Sequence, residues 1–256
     1  MEQFGTGEQE SLDRICGCLE IYQAANGYRF GVEALLLCGF VKGRARRLAD
    51  LGSGSGILSL VLVRFGKAER ATAVEIQPQL AERSRRSVER NGLSERIQVF
   101  QADLRRLQGL LPAGAFDLVV SNPPHAPAGT GRPSPRQEKA LAKSELSCTL
   151  SELLGAARRL LRPGGRLTII HLAARLPEAL ACCQEMGLRP SRLRLVHGRA
   201  EKPARHFLLE AVRGGRMTLR VEPALVVHRP DGSYTEEVQA MLYPQPAKDD
   251  RGHERG

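Results

Sequence analysis

Apolar positions along this chain fall into two alternating patterns. Short runs rich in Val, Ile, Leu and Ala predict strands over Arg46–Gly52, Ala71–Ile76, Ile97–Asp103, Phe116–Asn122, Arg166–Leu172, Arg192–His197 and His206–Val212. Helical stretches separate them, over Gly56–Phe65, Pro78–Gly92, Ser151–Gly165 and Ala174–Gly187. Pro78 suits a first helical turn and Asn91-Gly92 a stop. Thr149 and Glu152 stand at capping-box spacing, and Pro163-Gly164-Gly165 closes the helix they open. Strands alternating with helices imply right-handed crossovers and a mostly parallel, doubly wound α/β sheet with helices on both faces. No internal repeat is present, and the polar stretch Pro244–Gly256 is expected to be a disordered tail.

At 256 residues, 42 % of them hydrophobic, the chain can bury one large core. No apolar run approaches the ~18 residues of a membrane span, and the polar, acidic N-terminus is unlike a signal peptide, so a cytoplasmic protein is expected. The six cysteines (Cys16, Cys18, Cys38, Cys148, Cys182, Cys183) show no zinc spacing and read as thiols in a reducing compartment; no metal is expected. The net charge of +10 changes the picture more. Basic residues cluster at Lys42–Arg47, Arg83–Arg86, Gly131–Lys139 and Arg189–Arg205, and such fields attract polyanions, nucleic acid foremost. With 4 % aromatic residues and no Trp, a multi-base stacking platform is not expected.

In a doubly wound sheet the ligand lies at the carboxyl ends of the strands. The first strand ends in "DLGSGSG", with Asp50, Gly52, Ser53, Gly54 and Gly56; glycines there let backbone approach a ligand ahead of a helix N-terminus. The second ends in Glu75, 25 positions beyond Asp50, where a carboxylate can accept both ribose hydroxyls, with Ile76 beside it. The third ends in Asp103, followed by Leu104, a pair suited to an exocyclic amine and a flat face. The fourth runs into Asn122-Pro123-Pro124-His125, where two prolines stop the strand and stiffen a turn.

D-x-G-x-G-x-G, an acid ending strand two, an Asp ending strand three and N-P-P after strand four resemble the class I S-adenosylmethionine-dependent methyltransferases. The resemblance covers roughly Arg29 to Leu209. It implies a Rossmann-like, seven-stranded sheet whose last strand is antiparallel, and S-adenosylmethionine as cofactor. In related enzymes N-P-P marks methylation of a planar conjugated nitrogen. The Asn122 side-chain oxygen and the Pro123 carbonyl would accept the amine's N–H bonds, Pro124 would hold the turn, and the residue at His125 would stack on the target. A base within nucleic acid must first leave its stack.

Within that class, "LEIYQAANGYRFGVEALLLCGFV" (Leu19–Val41), "GTGRPSPRQEKALAKSE" (Gly129–Glu145) and "AEKPARHFLLEAVRGG" (Ala200–Gly215) resemble, in this order, blocks of the bacterial tRNA (valine) adenine-N6 methyltransferases. That implies tRNA as partner, the adenosine 3′ of the anticodon as target, and Phe30 and Glu33 in a segment closing over the cofactor. Arg132, Arg136, Lys139 and Lys143 are the candidate RNA-phosphate contacts. The chain departs from the family pattern at His125, where Tyr or Phe is usual, at Glu33, where Asp is usual, and at Lys143-Ser144, in place of Arg-His. Other readings are methylation of guanine N2 in ribosomal RNA, methylation of a protein glutamine amide, and an inactive cofactor- or RNA-binding module. The expected organisation is an N-terminal strand/helix cap over 1–45, a catalytic domain over 46–243 and a tail over 244–256. Oligomeric state is not legible. The remaining histidines, His171, His197, His206 and His228, read as core or surface filler.

Overall fold

The computed structural model describes residues 10–25, 29–123, 148–215 and 218–244. The chain opens with a hairpin, β1 (Glu10–Ile15) and β2 (Leu19–Ala24), which forms a two-stranded sheet of its own. Then follow α1 (Val32–Phe40), β3 (Ala45–Leu51), α2 (Ile57–Arg64), β4 (Ala68–Glu75), α3 (Pro78–Arg90), β5 (Ile97–Gln101) and β6 (Phe116–Ser121). The second half carries α4 (Leu150–Leu160), β7 (Leu161–Leu172), α5 (Leu176–Glu185), β8 (Leu188–His197) and β9 (Ala204–Arg213). Two short strands, β10 (Arg220–Val221) and β11 (Leu225–Val226), and α6 (Glu236–Leu242) complete it.

The main sheet has the order β10-β8-β9-β7-β6-β3-β4-β5, with β11 also on β8. Its pairs are parallel except those of β9, which runs antiparallel between β7 and β8. The expected seven strands and their antiparallel last member are therefore present, extended by two short edge strands. Chain order reverses between β3 and β6, so the crevice at a topological switch point lies between the glycine turn and the N-P-P turn.

Apolar side chains fill both faces of the sheet. One core contains Leu36 and Leu37 of α1, Leu60 and Leu62 of α2, and Val238 of α6. The other contains Leu154 of α4, Cys183 of α5 and Phe207 of β9. The α1–α6 packing depends on Gly39, where an added methyl would overlap the side chain of Met241.

Several element boundaries differ from expectation. The helix opened by Thr149, whose capping box with Glu152 is formed, ends at Leu160, because Pro163 and the left-handed Gly164 (φ 75°) cannot continue it. The strand expected to end at Asp103 stops at Gln101, and Asp103 instead caps a 3₁₀ turn over Leu104–Arg106. Strand β1 and the elements after Gly215 were not among the expected ones; α6 opens on Thr235, whose hydroxyl accepts from the Val238 amide at 3.4 Å.

Candidate active site

The glycine turn follows β3 directly. Gly52, Gly54 and Gly56 all have left-handed backbone, with φ of 68°, 56° and 87°. The Gly52 and Ser53 amides donate to the Val74 carbonyl at 2.9 and 3.0 Å, tying the turn to β4. Gly56 caps α2, and an added methyl there would overlap the Ser84 hydroxyl of α3.

Asp50 is fully buried beneath the start of α2. Its Oδ2 accepts from the Ser59 amide at 3.1 Å and the Ser59 hydroxyl at 2.9 Å, while Oδ1 has no partner. Burial pushes its carboxyl up to about 7, against the two Ser59 bonds. Glu75, also buried, accepts from the Gly54 amide through Oε2 and from the Gln77 amide through Oε1, both at 2.8 Å. Burial raises its pKa despite those bonds. Each oxygen keeps a further lone pair for a ligand. Ile76 next to it is 41 % exposed, an apolar side chain left bare at the crevice.

Asp103 accepts from the Arg105 amide at 2.9 Å and pairs with the Arg105 guanidinium at 2.7 Å, which holds its carboxyl below the usual range. Leu104 beside it is partly buried against the second core. Across the crevice Ser121 donates to the Leu51 carbonyl at 2.7 Å, locking the end of β6 to the end of β3. Asn122 and Pro123, half-buried, follow at once. The proposed Pro124, His125, Arg132, Arg136, Lys139 and Lys143 lie outside the described residues.

Phe30 and Glu33 reach the same edge from the N-terminal side. The Phe30 amide donates to Gln23 Oε1 at 3.1 Å, and Gln23 in turn donates to Asp13, which also pairs with Arg29. Glu33, in the first turn of α1, has Oε1 4.0 Å from Nε2 of His206. His206 faces Leu172 and Phe207 faces His171 across the β7–β9 pair, while Ser121 faces Ile169 across β6–β7. His171 and His206, both buried, therefore stand at the carboxyl edge beside Asn122-Pro123. Burial lowers both, His171 to about 4. Ser59, Ser84 and Ser121 were not singled out in the sequence; helix packing brings Ser59 and Ser84 to the turn, and the sheet register brings Ser121 and the histidine pair to this edge.

Several cations of the expected basic fields have partners within the molecule, while the Gly131–Lys139 field lies outside the described residues. Arg83 and Arg86 both pair with Glu10, and Arg86 also lies 4.4 Å over the Tyr22 ring, so this cluster fastens the hairpin to α3. Arg192 pairs with Glu222 at 2.8 Å and stacks 4.0 Å over Phe40, and Arg194 pairs with Glu237 at 2.6 Å. Lys42 and Arg44 pair with Glu222 and Glu69. The partners lie tens of positions or more away in sequence, so composition alone does not show which of these cations are paired.

The site has the character of a cofactor crevice. Asp50 Oδ1 and the hydroxyls of Ser53, Ser55 and Ser84 are buried without hydrogen-bond partners, all in or against the glycine turn. Buried polar groups in that state call for an occupant, and two acids with raised pKa and no cation against them suit one carrying positive charge. These residues fit S-adenosylmethionine.

Comparison with known proteins agrees. Residues 30–181 match the family model "Methyltransferase small domain". A tRNA1(Val) (adenine(37)-N6)-methyltransferase of Aeromonas hydrophila is 31 % identical over 84 % of this chain and 89 % of its own. One from Porphyromonas gingivalis is 28 % identical over 88 % and 91 %. Among solved structures, a predicted O-methyltransferase from Agrobacterium tumefaciens superposes with a TM-score of 0.65 at 28 % identity, covering 82 % of this chain and 95 % of that one. TYW2 of M. jannaschii, in complex with AdoMet, shares the fold at TM-score 0.56 and 15 % identity, over 82 % and 89 %.

Proposed function

Because the chain belongs to the methyltransferase small-domain family, and to the relatives named tRNA1(Val) (adenine(37)-N6)-methyltransferase, we propose that it methylates N6 of an adenosine in tRNA, the one 3′ of the anticodon. The observation that carries this reading is the placement of Asn122-Pro123 across the β3–β6 switch point from the glycine turn. S-adenosylmethionine supplies an electrophilic methyl carried on a sulfonium. Glu75 and the Gly52–Gly56 turn would hold its ribose and carboxypropyl portions, and Ile76, Asp103 and Leu104 would border its adenine.

An exocyclic amine is a weak nucleophile because its lone pair is delocalised into the ring. Asn122 Oδ1 and the Pro123 carbonyl accept its two N–H bonds, which localises that lone pair and aims it at the methyl. Pro124 is proposed to stiffen the segment after Pro123, and His125 to stack on the base. Arg132, Arg136, Lys139 and Lys143 supply phosphate contacts near the site. Residues 1–45 cap the catalytic domain 46–243, and the protein works in the cytoplasm, where its tRNA is. Among the described residues no helix is long and apolar enough to cross a membrane.

The test is incubation of unmodified tRNA with the protein and labelled S-adenosylmethionine, followed by mass spectrometry of nucleosides. N6-methyladenosine is expected, and Asn122→Ala should lose ~10²-fold or more in transfer with cofactor affinity retained. Label in guanine N2 or only in protein overturns the substrate, and full activity of Asn122→Ala overturns the role of the turn.

A further inference from the structure

On the outer side of α4 two hollows share Gly155 and Arg159 and form one groove. The upper hollow, about 250 Å³, starts at the Asp103 turn, with Leu104, Arg105, Gln108 and Glu152. The lower, about 470 Å³, lies at the opposite edge of the sheet, between Gly114, Arg158, Pro163 and Arg213. The groove thus runs from the border of the cofactor crevice to the amino ends of β6 and β7. From Glu152 to Arg159 it follows ~10 Å of helix, at ~1.5 Å per residue.

Its charge is one-sided. Arg159 donates to the Leu111 carbonyl at 3.2 Å and Arg213 to the Leu161 carbonyl, while Arg158 makes no hydrogen bond among the described residues. None of the three has a carboxylate within ion-pair distance among the described residues, in a molecule where Arg83, Arg86, Arg192 and Arg194 all have one. Of the neighbouring acids, Asp117 pairs with Arg162 at 2.6 Å, and Glu152, which accepts from the Thr149 amide at 2.7 Å, lies 4.0 Å from the Arg105 that also pairs with Asp103.

The floor gives a second, independent indication. Gly155 sits inside a helix, where glycine costs roughly 1 kcal/mol against alanine. Packing does not demand it, since an added methyl would meet only Met186 Sδ at 3.8 Å, an ordinary contact. What the missing side chain leaves is the open passage between the hollows.

We infer that this groove is a phosphate track, in which Arg158, Arg159 and Arg213 hold the backbone of the RNA substrate as it leaves the catalytic crevice. The inference rests on the RNA reading above. It adds a second contact surface, on residues separate from the Arg132–Lys143 segment and from the cofactor.

The experiment measures binding of transcribed tRNA by anisotropy across salt, with S-adenosylmethionine affinity by calorimetry as control. For the paired substitution Arg158→Gln and Arg213→Gln, losing two single-strand contacts should flatten the slope of log K against log salt by ~1.4. Between 50 and 200 mM salt the wild type then loses about sevenfold more affinity than the variant. Arg158→Lys with Arg213→Lys restores most of the slope. Gly155→Leu, which alters no charge and favours the helix, should weaken tRNA binding while unfolding no more easily than wild type. Cofactor affinity stays unchanged in all three. If wild type methylates tRNA but the glutamine variant keeps its slope and Gly155→Leu its affinity, the track is wrong and the function stands. If wild type neither binds nor methylates tRNA, the functional reading fails and the track with it.

Discussion

Replacing Asp50 with Asn separates the charge of the buried carboxylate from its shape. The Asn side-chain oxygen can still accept from Ser59, as Asp50 Oδ2 does from the amide and hydroxyl at 3.1 and 2.9 Å. The –NH2 group takes the place of Oδ1, which has no partner. What disappears is ionisation. Asp50 is fully buried and titrates near 7, against 3.8 for the ordinary carboxyl. About 3 pKa units at 1.36 kcal/mol each make the charged form cost ~4 kcal/mol in the folded state.

The folded pKa is raised, so the contribution of Asp50 to stability is fully present below pH 3.8 and is lost as pH rises through about 7. Wild type should therefore lose ~1.4 kcal/mol per pH unit relative to Asp50→Asn over that window, and level off above it. Urea unfolding of both proteins at pH 5, 6, 7 and 8 reads this directly, and the difference cancels groups common to both. A flat difference, or one of opposite sign, would refute the account of a charged group held in a dry pocket. With S-adenosylmethionine present the wild-type slope should shrink, because a nearby cation favours the ionised carboxylate.

Two further outcomes follow from the same geometry. Gly56→Ala imposes φ 87° on a side chain and overlaps the Ser84 hydroxyl, so calorimetry should show a melting temperature lower by roughly 5–10 °C. Adding Ser84→Gly should recover only the steric part; complete recovery would show that the backbone angle carries no strain. His171, buried and lowered to about 4, resists protonation in the folded state. Its contribution is present above pH 6.5 and falls by ~3 kcal/mol as pH drops toward 4, and His171→Gln should remove that acid slope in denaturant titrations.

Much of the crevice could be read before any coordinates. Gly52, Gly54 and Gly56 are at positions where the backbone is left-handed, and glycine is the residue that adopts it without cost to a Cβ. Asp50 and Glu75 were legible because each falls at a strand end in phase with the others. Asp103 was placed at the right end of the sheet but on the wrong element, since a short polar side chain can end a strand or cap a turn with the same local signature. His171 and His206 looked like filler because nothing near them in sequence marks the edge they share. Within the Arg83–Arg86 and Arg189–Arg205 clusters the sequence does not show which cations are already paired, because that depends on carboxylates brought to Arg83, Arg86, Arg192 and Arg194 by the fold, such as Glu10, Glu222 and Glu237.

Local rules were therefore sufficient for the alternation of strand and helix, the glycine turn and the rigid Asn122-Pro123 stop, because period, φ preference and the missing proline N–H act within a few residues. Tertiary structure alone decided which strands are neighbours, which arginines remain without a carboxylate, and which serines and histidines surround the crevice. Those properties are pairwise. They depend on distances between residues that are often tens of positions or more apart in the chain, and Coulomb and hydrogen-bond energies act through those distances, with no trace in the spacing of either partner along the chain.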